Sequence, residues 1–255
     1  MPTNKELVRA IELSFHAYPA IPGKLEPLRV AGVRGRVTPI SHPLANLVGM
    51  AELAPDAVDA TLERVRAAYG RKIFGWMVGP LTRPVDLGAR LLARGLEGPV
   101  KIAGMALADL ALAIAGAGAG VREVSREEAL AGSEMVGRAY GLPTDVARFF
   151  LELYFAPNGP RCRGYFAYVD GVPVAWSFLV YIDAPIVLLG GAATVPEHRG
   201  RGLYTALVAR RLADARADGR TAAVIQAARD TSAPICAKLG FKELCALELF
   251  VAHSA

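Results

Sequence analysis

From Ile186 to Leu212 the chain reads IVLLGGAATVPEHRGRGLYTALVARRL: an apolar run holding Gly190-Gly191, a loop with Gly200 and Gly202 set between arginines, and a stretch whose apolar residues recur at helical spacing. A strand that enters a helix through a tight turn needs one small residue, and here there are two. Leu203, Tyr204, Leu207, Val208 and Leu212 form one face of the predicted helix; Arg210, Arg211, Asp214 and Arg216 are assigned to the other. Gly219 marks its stop, and TAAVIQAA supplies the next buried strand. A strand, helix and parallel strand in that order require a right-handed crossover, so an α/β unit is fixed around this segment.

The residues before it read as a meander. VREVS is strand-like, Arg126–Tyr140 and Thr144–Phe155 are helical, and GLP separates them. In GYFAYVDGVPVAWSFLVYI, Asp170-Gly171 sits between two strand-like runs, the dipeptide whose left-handed preference suits a tight hairpin. After the crossover come a short helix from Ser232 to Leu239, stopped by Gly240, and a last strand, CALELFVA. A fainter copy of the order precedes all this: strand ANLVGMAEL, helix Ala57–Tyr69, strand KIFGWMVG, helix Asp86–Arg94, strand VKIAGMA. The short helices close alike, in LLARGL and CAKLGF. We read a tandem repeat divided linearly, 1–120 and 121–255. IAGMALADLALAIAGAGAG, from Ile102 to Gly120, is read beyond its opening strand residues as a buried short helix and a linker, because Asp109 interrupts it.

Composition narrows the class. With 53% hydrophobic and 21% charged residues, the chain has the balance of a packed globular protein. Its formal charge of +5 comes from scattered basic residues without a clustered stripe, so nucleic acid is a weak expectation and steering of anionic ligands a better one. Cys162, Cys236 and Cys245 are odd in number and lack metal-ligand spacing; His16, His42, His198 and His253 do not cluster. We expect no metal, no disulfide framework, no membrane partner and a cytoplasmic setting.

Glycines at 200 and 202 let the backbone turn with its amides on the concave side, and the following helix adds unpaired N–H groups and the positive end of its dipole. Such a nest binds an anion, and pyrophosphate can accept several amides at once, with Arg199 or Arg201 adding charge at the rim. No GK[ST] ending of a nucleoside-triphosphate loop is present, and Thr205 stands where a dinucleotide fingerprint has its third glycine.

These residues resemble the GNAT acyltransferases, which use acyl-coenzyme A. The family's signature is Arg or Gln, two residues, Gly, one residue, then Gly or Ala; Arg199 and Gly202 meet it and Tyr204 departs from it. The resemblance spans Val121 to Val251, KLGF ending included. It implies an α/β fold of two GNAT-like domains, each a mixed antiparallel and parallel sheet flanked by helices, with acetyl-CoA as cofactor and an amine as partner substrate. It implies further that main-chain groups of Ala193 and Val195 bond the pantetheine arm. The amides of Arg199, Gly200, Arg201, Gly202, Leu203 and Tyr204 would hold the pyrophosphate. Gly190 and Gly191 would open a notch between this strand and the next parallel one, where the thioester would lie, its oxygen bonded by an amide near Val195.

Where relatives place a tyrosine to protonate the departing thiolate, four residues before Gly-Phe, this chain has Cys236. We take Cys236 as the candidate catalytic acid, with Tyr204 as substitute; a small buried hydrophobe is the plainer role for the cysteine. IVLLGGAATV carries no carboxylate, Glu197, His198 and Asp183 are weak candidates, and no general base is assigned. Tyr140, Phe149, Phe150 and Tyr154 form a candidate acceptor pocket, with loops of the first half adding specificity. Core packing is the commoner role for aromatics so spaced. In the first half the matching segment, AELAPDAVDATL, has no glycine and puts Glu52 and Asp56 where a pyrophosphate would sit, so 1–120 reads as a degenerate copy without coenzyme A. Two functions are expected to compete: N-acyl transfer to a small amine or peptide amino group, and a sensor that binds acyl-CoA without turnover.

Overall fold

The computed structural model describes residues 1–18, 20–113 and 120–253. The chain divides into two compact units, Met1–Ile11 with Met105–Leu244 and Glu12–Gly104 with Cys245–Ala255. Both termini therefore belong to the unit that the linear division at residue 120 assigns elsewhere.

Helix α1 (Asn4–Leu13) starts at a reciprocal cap: the Glu6 carboxylate accepts from the Thr3 amide at 2.7 Å while Thr3 Oγ1 accepts from the Glu6 amide at 3.3 Å. In the Glu12–Gly104 unit, β1 (Glu26–Pro27), β2 (Arg34–Val37) and β3 (Leu47–Gly49) pair antiparallel. Met50, at φ +49°, ends β3 well short of the expected ANLVGMAEL strand. Helix α2 (Val58–Tyr69), stopped by Gly70, leads to β4 (Phe74–Val78), which runs parallel to β3; α3 (Leu87–Ala93) and β5 (Glu97–Leu107) follow. Trp76, Leu62, Val65, Tyr69, Leu87 and Leu91 make a buried core that Phe250 completes. That ring explains the assignment of the C-terminal residues: alternation identifies a strand, and this core supplies its apolar face. The expected VKIAGMA strand lies inside β5, which runs on to Leu107; beyond it the expected short helix is corrected to a 3-10 turn, Leu110–Leu112. Ala103 to Leu107 are buried in unbroken succession, as in a strand covered on both faces. Most of the expected linker lies outside the described residues.

In the other unit, β6 (Val121–Val124) leads through a Ser125–Glu128 capping box into α4 (Arg126–Ala131), then α5 (Ser133–Tyr140) and α6 (Thr144–Tyr154). The single helix expected over 126–140 is broken at Gly132, where a Cβ would lie 2.6 Å from the Phe166 ring. Strands β7 (Cys162–Val169) and β8 (Val172–Val180) form the hairpin through Asp170-Gly171, at φ +50° and +79°. The run expected as one strand from Ile186 to Val195 is two, β9 (Ile186–Leu188) and β10 (Ala192–Thr194). Helix α7 (Leu203–Ala217), β11 (Ala222–Ala228), α8 (Ser232–Lys238) and β12 (Lys242–Ala252) complete the chain. β11 is parallel to β9; β12 is antiparallel to β4 from Glu248 to Ala252. The fold is α/β with mixed parallel and antiparallel pairing flanked by helices. No helix of the described residues is long and apolar enough to cross a membrane.

A cavity of about 270 Å³ in the Glu12–Gly104 unit is lined by His16, Tyr18, Leu25, Leu28, Arg34 and Arg36. Burial, with the Arg36 and Arg34 charges adding to it, pushes the His16 pKa down from 6.5 to about 3. The unfolded chain binds a proton at this residue below about pH 6.5 and the folded chain only near pH 3, so the stability it supports is complete above pH 6.5 and lost as pH falls toward 3. The expected slope is at most about 1.4 kcal/mol per pH unit. Urea unfolding at a series of pH values should show it, and His16→Gln should flatten the curve in that window.

Candidate functional site

The site begins at a fault in the sheet. Phe178 of β8 donates its single N–H to both Gly190 O (3.0 Å) and Gly191 O (3.2 Å), so two residues oppose one. Gly191 takes φ +34°, and a Cβ there would lie 3.0 Å from the Tyr140 hydroxyl. Before the bulge β9 is paired with β11, the last bond being Leu189 N to Val224 O at 2.9 Å. Beyond it β10 follows β8 alone in the strand order. The two parallel strands therefore part at the glycines, which is the notch the sequence predicts.

The bulge also sets which main-chain groups face the notch. Val195 N donates to Val174 O at 2.9 Å, so Val195 and, two residues back, Ala193 turn their polar groups toward β8. The expectation that Ala193 and Val195 bond a ligand strand is thus corrected by one residue: Ala192 and Thr194 face away from β8. The Tyr140 hydroxyl lies against the Ala192 amide, and Thr194 O accepts from Arg199 Nε at 3.1 Å. An oxyanion contact from the Val195 amide is excluded for the same reason.

The loop then delivers its donors. Gly200 and Gly202 sit at φ +74° and +77°, conformations that cost an L side chain about 1–2 kcal/mol, and a Cβ at either would meet nothing within 4 Å. Among the described residues no protein acceptor takes the N–H of Gly200, Arg201, Gly202, Leu203, Tyr204 or Thr205. Arg199 is the exception, its amide held by Pro196 O at 3.2 Å, so the nest runs from 200 rather than 199. The nest ends on the 15-residue helix α7, whose dipole points its positive end outward. Arg199 is not a rim charge either: its guanidinium spans Thr194 O and Ala139 O (3.2 Å), pinning loop to β10 and α5. Exposed Arg201, beside His198 Nδ1 at 2.9 Å, remains at the rim. Glu197 is committed to an ion pair with Arg138.

In the first turn of α7, the Tyr204 hydroxyl meets Cys236 Sγ of α8 at 3.4 Å. Cys236 is fully buried and Tyr204 half-buried, so of the two candidate acids only the tyrosine has access to a ligand. Burial, reinforced by the neighbouring thiol, pushes the Tyr204 phenol well above its ordinary range and keeps it protonated. Burial also raises the Cys236 thiol, against the lowering effect of the Tyr204 bond and the Arg211 charge. Tyr140 packs edge-on to Trp176 at 5.5 Å and Tyr154 stacks on Phe178 at 3.8 Å, while Phe149 is buried beside Phe150. Tyr140 is 40% exposed although its hydroxyl end is buried, so it alone of the four is plainly both surface and site.

The residue the sequence reading misplaced is Arg211. Assigned there to the polar face of α7, it is 0% exposed. Its Nη1 donates to Phe178 O (2.9 Å) and Gly190 O (3.2 Å), and Nε to Leu207 O (3.1 Å). At the bulge this guanidinium serves Phe178 O and adds a second donor to Gly190 O.

Residues 173–244 match the family model described as the acetyltransferase (GNAT) domain. No curated protein matches the sequence. Among solved structures, a GCN5-related N-acetyltransferase from Kribbella flavida is similar at 20% identity and a TM-score of 0.70, covering 98% of this chain and 96% of its own. A tandem GNAT protein from the clavulanic acid biosynthesis pathway is similar at 18% identity and a TM-score of 0.60, with 99% and 95% covered. A GNAT-family acetyltransferase from Novosphingobium aromaticivorans is similar at 17% and 0.60, both chains covered in full. The segment that carries the bulge and the nest is thus similar to the acetyltransferase (GNAT) domain, and the chain shares its fold with these solved structures.

Proposed function

We propose that the protein is an acyl-CoA-dependent N-acyltransferase, with acetyl-CoA as donor and a primary amine of a small molecule or peptide as acceptor. The observation that carries this reading is the row of unclaimed amides from Gly200 to Thr205 beside the parting of β10 from β11. The open space at both glycines accommodates a diphosphate, and the outward groups of Ala192 and Thr194 suit an extended amide-bearing arm. Acetyl-CoA supplies an activated thioester. The chain's part is then to hold it: the nest binds the anion, Arg201 adds charge at its rim, and the β10 edge aligns the arm with the notch. Tyr204 gives a proton to the sulfur as the carbon–sulfur bond breaks, with Cys236 behind it. No carboxylate lies on β9 or β10, so the acceptor reacts as the free amine and rate comes from placement.

We place the donor site in the C-terminal half alone and read 1–120 as the degenerate copy. In AELAPDAVDATL there is no glycine, and the Glu52 amide goes to Gly32 O (2.8 Å), Leu53 to Arg83 O (3.1 Å) and Ala57 to Ala54 O (3.0 Å).

Calorimetry with coenzyme A should give one site per chain; two would overturn the assignment of 1–120. Gly202→Asp puts a carboxylate in the nest and should weaken binding by roughly 10²-fold or more, the loss of one or two charge-assisted bonds. Unchanged affinity refutes the nest. Tyr204→Phe should lower kcat by about 10²–10⁴-fold with little change in affinity, followed as free thiol released from acetyl-CoA with an amine panel. Release at the background rate from the parent protein, with the coenzyme bound, favours the sensor.

A further inference from the structure

Arg211 carries more than a structural bond. It is the one large cation of the described residues buried completely, and no carboxylate is paired with it. Nη1 and Nε are satisfied by three carbonyls, but Nη2 is buried without a partner. A full charge kept in such a place, with a donor left over, is the kind of local expense that packing alone does not explain. The ionisable groups within reach of its charge are Tyr204 on its own helix, Cys236 of α8, Tyr140 of α5 and Tyr165 of β7, all neutral acids. Tyr165 is already committed to Asp214, at 2.8 Å. The remaining three stand around the bulge and the Tyr204–Cys236 contact.

We propose that Arg211 is the positioning residue of the acyl-transfer site, holding the bulge open and serving as fixed counter-charge to the anion that forms on the Tyr204–Cys236 pair. The inference rests on the transfer reading above. In the step, the amine nitrogen forms the new bond to the acyl carbon, and the electron pair of the breaking carbon–sulfur bond leaves with the coenzyme sulfur. Tyr204 passes its hydroxyl proton to that sulfur and recovers one from the Cys236 thiol. The negative charge now rests on Cys236 Sγ, within reach of the Arg211 charge. The proton lost by the acceptor nitrogen to solvent is the equivalent of the one that later restores the thiol, so protons and charge balance. Burial disfavours ionising the thiol, and the Arg211 charge opposes that penalty.

Two variants of the full chain separate charge from bonding. Arg211→Met keeps the bulk and removes the charge; Arg211→Lys keeps the charge and loses the planar fork. The expected result for Met is kcat for thiol release at saturating coenzyme lower by roughly 10²-fold, and recovery of most of that rate in Lys. A second readout needs neither coenzyme nor turnover: with Cys162 and Cys245 changed to Ser, thiolate absorbance of Cys236 is titrated. Its midpoint should rise by about 1 pH unit or more in Met and not in Lys. Parent-like rates and midpoint in Met overturn the proposal, as does equal loss of binding and folding in both variants without rescue by Lys. If the parent transfers no acyl group, the transfer reading fails, while the thiol titration still decides whether Arg211 acts on Cys236.

Discussion

One extra residue in a strand governs this site. Because Phe178 serves two glycine carbonyls with one N–H, the backbone after Gly191 changes phase, turns the polar groups of Ala192 and Thr194 away from β8, and leaves β11 without a neighbour on its β9 side. A bulge of this kind disrupts the ladder locally, and a buried unpaired group costs about 1–3 kcal/mol. The Arg211 guanidinium meets that demand at Phe178 O, and the same nitrogen adds a second donor to Gly190 O. Burying the cation costs several kcal/mol in turn, offset only by geometry as close as this. Bulge and arginine are thus mutually dependent, and the notch is what both produce.

Local chemistry was the legible part of the sequence. Asp170-Gly171 announced its hairpin, Gly190-Gly191 the parting of strands, and Gly200 and Gly202 the left-handed turns, since each depends on backbone freedom that only a few residues have. Phase was not legible. Whether 192 and 194 or 193 and 195 face the notch turns on which residue of the bulge is extra, and two adjacent glycines read the same either way. Nor did helical periodicity find Arg211. It follows Arg210 and precedes Asp214, a surface pattern, and its burial comes from a bulge in another element. The nearest clue was indirect: small residues at Ala206, Ala209 and Ala215 give α7 no single polar face.

The destination of the last strand was hidden for a different reason. Alternation in CALELFVA identifies a strand with two unlike faces, but Phe250 joins Trp76 and Leu87 through contacts more than 160 residues away in sequence. Similarly, IAGMALADLAL is apolar enough for a helix or a doubly covered strand, and sequence length alone could not arbitrate. The same order of strand, helix and strand also occurs with and without the glycine loop. Where glycines are present the amides project unclaimed; where AELAPDAVDATL replaces them, Gly32, Ala54 and Arg83 carbonyls take the amides of Glu52, Ala57 and Leu53.

The chemistry suited to such a site is transfer by placement. No carboxylate stands on the strands at the notch, Arg201 is exposed at the loop, and the acid proposed is a phenol kept protonated by burial. A module that merely held a diphosphate would need the nest and nothing behind it. Here the nest leads into the first turn of α7, where a hydroxyl contacts a buried thiol, and two turns further on is a buried guanidinium with a spare donor. On the proposed transfer reading these groups serve the departing sulfur, and the cost of keeping a cation in the interior is set against that step rather than against anion binding.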